Sequence, residues 1–166
     1  LVISQLYPAG GNSGAPFSND FVEIFNRGNT TVNFAVTPYS VQYAGATANF
    51  GSNKADLTSG VILPGHYYLV QLSGGSNGAP LPTPDATGSI AMAAGAGKVA
   101  LVVGTTSLPV SICPGDDGAE PFNPNHLTIV DFVGYGSTAA CYEGPSQATT
   151  PTNITADFRG STGARV

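Results

Sequence analysis

Several sets of residues in this 166-residue chain have types and spacings that invite chemistry. Gly74-Gly75-Ser76-Asn77-Gly78 matches the nucleophile-elbow pattern G-x-S-x-G, which needs a strand, a sharp turn and a helix to expose its serine. A strand-like run at 66–72 precedes it. The next residues, Ala79-Pro80-Leu81-Pro82-Thr83-Pro84, cannot supply the helix, because prolines lack the N–H donors and clash in a helical backbone. Gly134-x-Gly136-x-x-Ala139 mimics a dinucleotide fingerprint, but Gly144 and Pro145 stand where a helix should receive a pyrophosphate. The first motif therefore reads as part of the loop at 73–85, and the second as a glycine-rich strand exit.

The acids are the next candidates. Asp116, Asp117 and Glu120, with Asn123 and Asn125 nearby, form the densest oxygen-rich loop. Calcium takes such ligands, although D-D-G-A-E is not the EF-hand spacing and a solvated acidic turn is the plain alternative. No other cofactor or metal is expected. Asp20, Glu23 and Asp131 lie inside or beside strand-like runs. Buried acids need partners or they shift their pKa. Structural acids bonded to loop backbone or to one of the few cations are the expected reading, and a paired general acid and base is the functional alternative. His66 and His126 are the only histidines. They provide no zinc ligand set, and no triad partners are placed beside them. Asn29-Thr30-Thr31 and Asn153-Ile154-Thr155 match the glycosylation sequon, which matters only in a eukaryotic secretory setting.

Composition bounds what surrounds these residues. Charged residues are only 9%, hydrophobic ones 42%, with 22 Gly and 13 Pro. The apolar residues fall in short runs separated by turn signals, as in an all-β domain rather than a disordered chain. The net charge is −5, and Arg27, Lys54, Lys98, Arg159 and Arg165 are scattered singly. Counterion-release binding needs clustered cations, so no direct nucleic-acid binding is expected. No apolar run reaches the ~20 residues of a membrane helix. Cys113 and Cys141 enclose roughly 28 residues, and a bridge there would contribute roughly 3–4 kcal/mol in the chain-entropy model. A low-lysine, Thr/Ser/Asn/Gly-rich chain with two cysteines points to an oxidising compartment and a disulfide. The start at Leu1 rather than Met fits either a processed secreted protein or an excised piece of a longer one.

These features imply a single domain over 1–166 built from about seven to nine short strands with long Gly/Pro/Ser-rich loops. Strands are expected at 1–7, 20–26, 31–34, 39–43, 66–72, 97–103, 129–136 and 154–158, and 60–63 leads into the Pro64-Gly65 turn. Weaker strands are expected at 88–92 and 109–112. Residues 44–59 read as a polar loop with a short strand near 49–50. The continuous apolar run at 97–103 marks a central strand, and alternation at 20–26 marks a half-buried one. Tyr39, Tyr43, Tyr67 and Tyr68 alternate in and out of their strands; side chains that cover a sandwich face are the plain reading, and a carbohydrate- or protein-binding face lined by the outward ones is the alternative. An immunoglobulin-like Greek-key β-sandwich is the economical architecture.

The ordered motifs DFVEIFN (20–26), YSVQY (39–43), GVILPGHYYLVQ (60–71), GKVALV (97–102) and IVDFVGYG (129–136) carry a family likeness. Over nearly the whole chain the sequence resembles the bacterial lamin tail domain. The most specific parts are D-x-[VI]-E-[IL]-x-N, [IL]-x-P-G-x-[YF]-Y-L-[VI] and V-D-x-V-[GA]-[YW]-G. The resemblance implies an immunoglobulin-like β-sandwich. It also implies a non-catalytic interaction or attachment module, an accessory domain of a larger secreted or cell-surface protein, often beside nuclease or phosphatase-type hydrolases. The loops at 44–59 and 73–85 are longer than the pattern, and the chain stops soon after Arg165, where relatives often continue. Two other readings stay open: a calcium-dependent or acid-based extracellular hydrolase, and a structural domain that self-associates in an envelope. Asp131 is expected to hold a neighbouring loop rather than a substrate.

Overall fold

Val22 and Ile24 alternate with Phe21, Glu23 and Phe25, and this two-residue period places one row inside and the other outside. The strand it specifies, β2 (Asn19–Phe25), lies at the centre of a five-stranded sheet. The computed structural model describes residues 1–115, 128–144 and 146–159. The calcium candidates Asp116, Asp117 and Glu120, and also His126, lie outside the described residues.

In chain order the strands are β1 (Val2–Tyr7), β2, β3 (Val32–Asn33), β4 (Tyr39–Gly45), β5 (Lys54–Leu57), β6 (Val61–Ile62), β7 (Tyr67–Gly74), β8 (Ala86–Thr87), β9 (Gly97–Val103), β10 (Ile129–Tyr135) and β11 (Asp157–Phe158). One sheet runs β11-β1-β2-β7-β8 and the other β10-β9-β4-β5, with β3 and β6 as a separate ribbon. All pairs are antiparallel except β7 with β8. Ile3, Leu6, Val22, Ile24, Val70 and Leu72 of the first sheet pack against Val41, Tyr43, Leu57, Val99, Leu101 and Val133 of the second. The domain is therefore an all-β sandwich, as expected from the strand pattern.

The second sheet is buried on both faces. Its outer face carries Ala44, Ala100, Val102, Ile129 and Phe132, covered by Phe50, Leu108 and Cys141. That is why β9 reads as a continuous apolar run and sits centrally, between β10 and β4. Polar side chains buried on the same face capture the covering loops. Ser40 Oγ donates to Gly104 O at 2.9 Å, Gln42 Nε2 donates to Thr106 O at 2.9 Å, and Gln42 Oε1 accepts from Leu108 N at 2.8 Å.

Three sequence expectations need correction. The strand expected near 49–50 is instead β5 at Lys54–Leu57; Phe50 is a buried plug whose N–H donates to Ser111 O at 2.8 Å. Residues 109–112 are not a strand, because their carbonyls serve the outer layer rather than a ladder: Ser111 O accepts from Phe50 and Ile112 O from Lys98. Residues 88–92 do not pair as a strand either; β8 lies just before them.

Candidate functional site

Asp131 lies on β10, where plain alternation from Ile129 would point it to the outer face. A bulge between Ile129 and Asp131 shifts the register, so Asp131 stands opposite Leu101 on the inner face. Bulges re-aim side chains in this way. The carboxylate, buried at 4% exposure, then bridges the two sheets. Oδ2 accepts the Ile3 N–H of β1 at 2.6 Å, and Oδ1 accepts from Arg159 Nη2 at 2.7 Å. Arg159 is itself fixed by its backbone N–H, which donates to Ser4 O at 2.7 Å, just beyond β11. Asp131 thus ties β1 and the Arg159 side chain together across the seam.

Glu143 joins this seam and was not foreseen. Desolvation, and after it the nearby Asp131 charge, hold its carboxyl above the usual glutamate range. The path that brings it there depends on Gly134. A Cβ at that position would lie 2.0 Å from Cys141 O, so only glycine lets the 141–143 segment lie on β10. The second glycine of the dinucleotide-like motif, Gly136, has φ +75° and exits the strand against Gly95. Cys113 and Cys141 are disulfide-bonded, with Cα atoms 5.8 Å apart. Lys98 is fully buried beside this staple, donating to Ala48 O at 2.8 Å and Ile112 O at 2.7 Å, and desolvation pulls its pKa down to about 8.

Asp20 also tethers backbone. Oδ1 accepts from Gly10 N and Oδ2 from Met92 N, both at 2.8 Å, at the wall of a cavity of about 220 Å³ that Asn12 and Ser73 also line. Burial outweighs these two bonds and pushes its pKa up to about 6. A carboxyl raised on folding holds its proton longer in the native state, so its contribution to stability is present at low pH and lost as pH rises from about 4 to about 6. We expect thermal melts of Asp20→Asn to lack this component, which is worth up to about 3 kcal/mol across that window. Wild-type and variant profiles that run parallel from pH 4 to 7 would contradict the assignment. Glu23 accepts from Ser4 Oγ at 2.7 Å.

The G-x-S-x-G stretch is spent on packing. A Cβ on Gly11 would lie 2.1 Å from Gly75 N, and Asn77 Nδ2 donates to Gly11 O at 2.9 Å. Ser76 and His66 are exposed, and no helix succeeds the motif. Among the described residues no group of three His, Cys, Asp or Glu side chains is placed to hold a metal ion.

What remains accessible is the outer face of the five-stranded sheet. Register puts Phe158, Gln5, Glu23 and Leu69 in one row, and Phe25 beside Tyr67 in the next. One half of this face is roofed: Tyr7 and Phe21 pack with Phe17, and Leu69 and Leu81 join the same cluster. The other half is open. Tyr67 is 59% exposed and Phe158 48%, and the Phe25 and Tyr67 rings lie 4.8 Å apart. At the β11 end Gln5, Thr149, Thr155, Ala156 and Phe158 line an open groove of about 460 Å³. Of the four tyrosines singled out from the sequence, Tyr43 and Tyr68 are buried and Tyr39 packs edge-on against Phe34, which leaves Tyr67 as the outward one. Phe25 and Phe158 were legible only as strand residues. No family model, curated protein or solved structure matches this chain.

Proposed function

We propose that this chain is a non-catalytic interaction or attachment module of the lamin tail type, with an immunoglobulin-like strand arrangement, acting in an extracellular or cell-surface protein. The observation that carries this reading is the half-open outer face, where Phe25, Tyr67 and Phe158 stand exposed or half-buried beside Gln5 and Glu23. Aromatic side chains left in water around amide and carboxylate groups are the composition of a recognition surface rather than of a solvated sheet. The disulfide is compatible with an oxidising compartment, and Asp131, Asp20 and Glu23 are engaged with backbone or with neighbouring side chains. The test incubates the labelled protein with panels of glycans, proteins and phosphoester substrates. Saturable binding without product release is the expected result; turnover of any probe would overturn the reading.

The interacting Asp131 and Glu143 carboxyls favour a second reading, an acid-based hydrolase. On that reading Glu143→Gln would abolish a measurable hydrolysis while leaving the fold intact. On the preferred reading it changes no activity.

A further inference from the structure

We propose that the open half of the outer face binds a neutral, extended oligosaccharide, laid across β11, β1, β2 and β7 between Phe158 and the Phe25–Tyr67 pair. The proposal rests on the module reading above and names its ligand.

Three observations select this occupant. The first is charge. Glu23 is the one charged side chain in the Phe158-Gln5-Glu23-Leu69 and Phe25-Tyr67 rows, and the chain as a whole carries −5. A polyanion such as nucleic acid or an acidic glycan would meet no cation in those rows, and its binding draws on released counterions that only clustered Lys and Arg can displace.

The second is the distribution of apolar surface. A protein-binding patch concentrates aromatic and apolar anchors at its centre and polar groups at its rim. Here the order is inverted. Rings stand at the two ends, and the Gln5 amide and the Glu23 carboxylate occupy the middle. A sugar chain suits that order, because the C–H face of a pyranose ring lies on the negative face of an aromatic ring. Its hydroxyls, both donors and acceptors, pair with the Gln5 amide and the Glu23 carboxylate between the rings.

The third is reach. From Phe158 to Phe25 is two strand spacings across and two residues along, about 12 Å; to Tyr67 it is about 16 Å. That is the span of a few linked sugar rings, too long for a monosaccharide. The groove at Gln5, Thr149, Thr155 and Phe158 then forms one end subsite. Glu23 is held ready by Ser4, whose hydroxyl donates to Glu23 Oε1.

The test is calorimetric titration of the whole chain with cellohexaose, chitohexaose, xylohexaose and mannohexaose, with alginate and heparin fragments as anionic controls. Saturable binding to at least one neutral chain is expected. It should weaken about tenfold or more in Tyr67→Ala and in Phe158→Ala, and stay within about threefold in Tyr67→Phe. Both rings are exposed, so the variants should melt with the wild type, and a melt of each one checks it. Heat from no neutral chain at millimolar concentration, preference for the anionic fragments, or equal binding by Tyr67→Ala would each overturn the proposal. A protein ligand captured in a Tyr67-dependent way, with the glycans silent, would overturn the sugar and leave the module reading standing. New reducing ends released from a bound hexasaccharide would overturn both.

Discussion

Replacing Asp131 with alanine should lower the unfolding free energy by about 3–5 kcal/mol, the cost of breaking a buried ion pair from one side. The carboxylate is the acceptor for the Ile3 N–H at 2.6 Å and the counter-charge for Arg159 at 2.7 Å, and both contacts cross from one sheet to the other. Its removal takes a charge partner from Arg159, whose side chain is only 18% exposed, and a close acceptor from β1. Asn at this position should recover little. Its Oδ1 can serve one donor, but its Nδ2 then faces a second donor. Urea unfolding of Asp131→Ala, Arg159→Ala and the double variant measures the effect. The double variant should be less destabilised than the two singles added, because it removes both charges together. A loss below about 1 kcal/mol in Asp131→Ala would show that the seam is held by packing alone.

Reduction of Cys113–Cys141 should cost about 3–4 kcal/mol, from the loop entropy restored to the unfolded chain over a separation of 28 residues. The loss should also have a place. The disulfide, Lys98 and Phe50 together cover the outer face of β10, β9 and β4. Opening that layer exposes Phe132, Val102 and Leu108 before the inter-sheet core is touched, so amide exchange should accelerate first in residues 46–50 and 104–113. Guanidinium unfolding of oxidised, reduced and Cys113→Ser/Cys141→Ser protein, with exchange mapped at low denaturant, tests both parts. Uniform loss of protection across all strands would contradict a separable outer layer. The Asp131–Glu143 contact provides a further readout. Glu143 lies two residues after Cys141, so the raised Glu143 pKa should relax toward its ordinary value when the bridge is cut.

The core strands were legible because their signal is local. Alternation in β2, the unbroken apolar run of β9 and the Pro64-Gly65 turn before β7 depend on residues within a few positions of one another. The glycine motifs could also be rejected locally, since the prolines and glycines C-terminal to each of them cannot form a helix. The site was less legible. Asp131 was visible as an acid in a strand, but its direction was not. One bulge at Val130 reverses the face that alternation assigns, and no residue type in that stretch demands a bulge. Glu143 gave no signal, because it reaches Asp131 only where Gly134 leaves room for the 141–143 backbone. Lys98 stood out only as one of five cations scattered singly; its ammonium is buried because two loops bring carbonyl oxygens to it.

The sequence by itself determined the class of the domain, the positions of most strands and the pairing of its two cysteines. Hydrophobic period, turn residues and composition are properties of short windows, and they survive without knowledge of the partners. Only the tertiary structure decided which way Asp131 points, that the second sheet is covered on both faces, and which aromatic residues stay in water. Tyr67 and Tyr68 are neighbours of one type in one strand, yet one is 59% exposed and the other 2%. Phe21 and Phe25 share an outer face, yet only Phe21 lies under the roof formed with Phe17 and Tyr7. Exposure of that kind depends on where distant loops come to rest, which no short stretch of residues encodes.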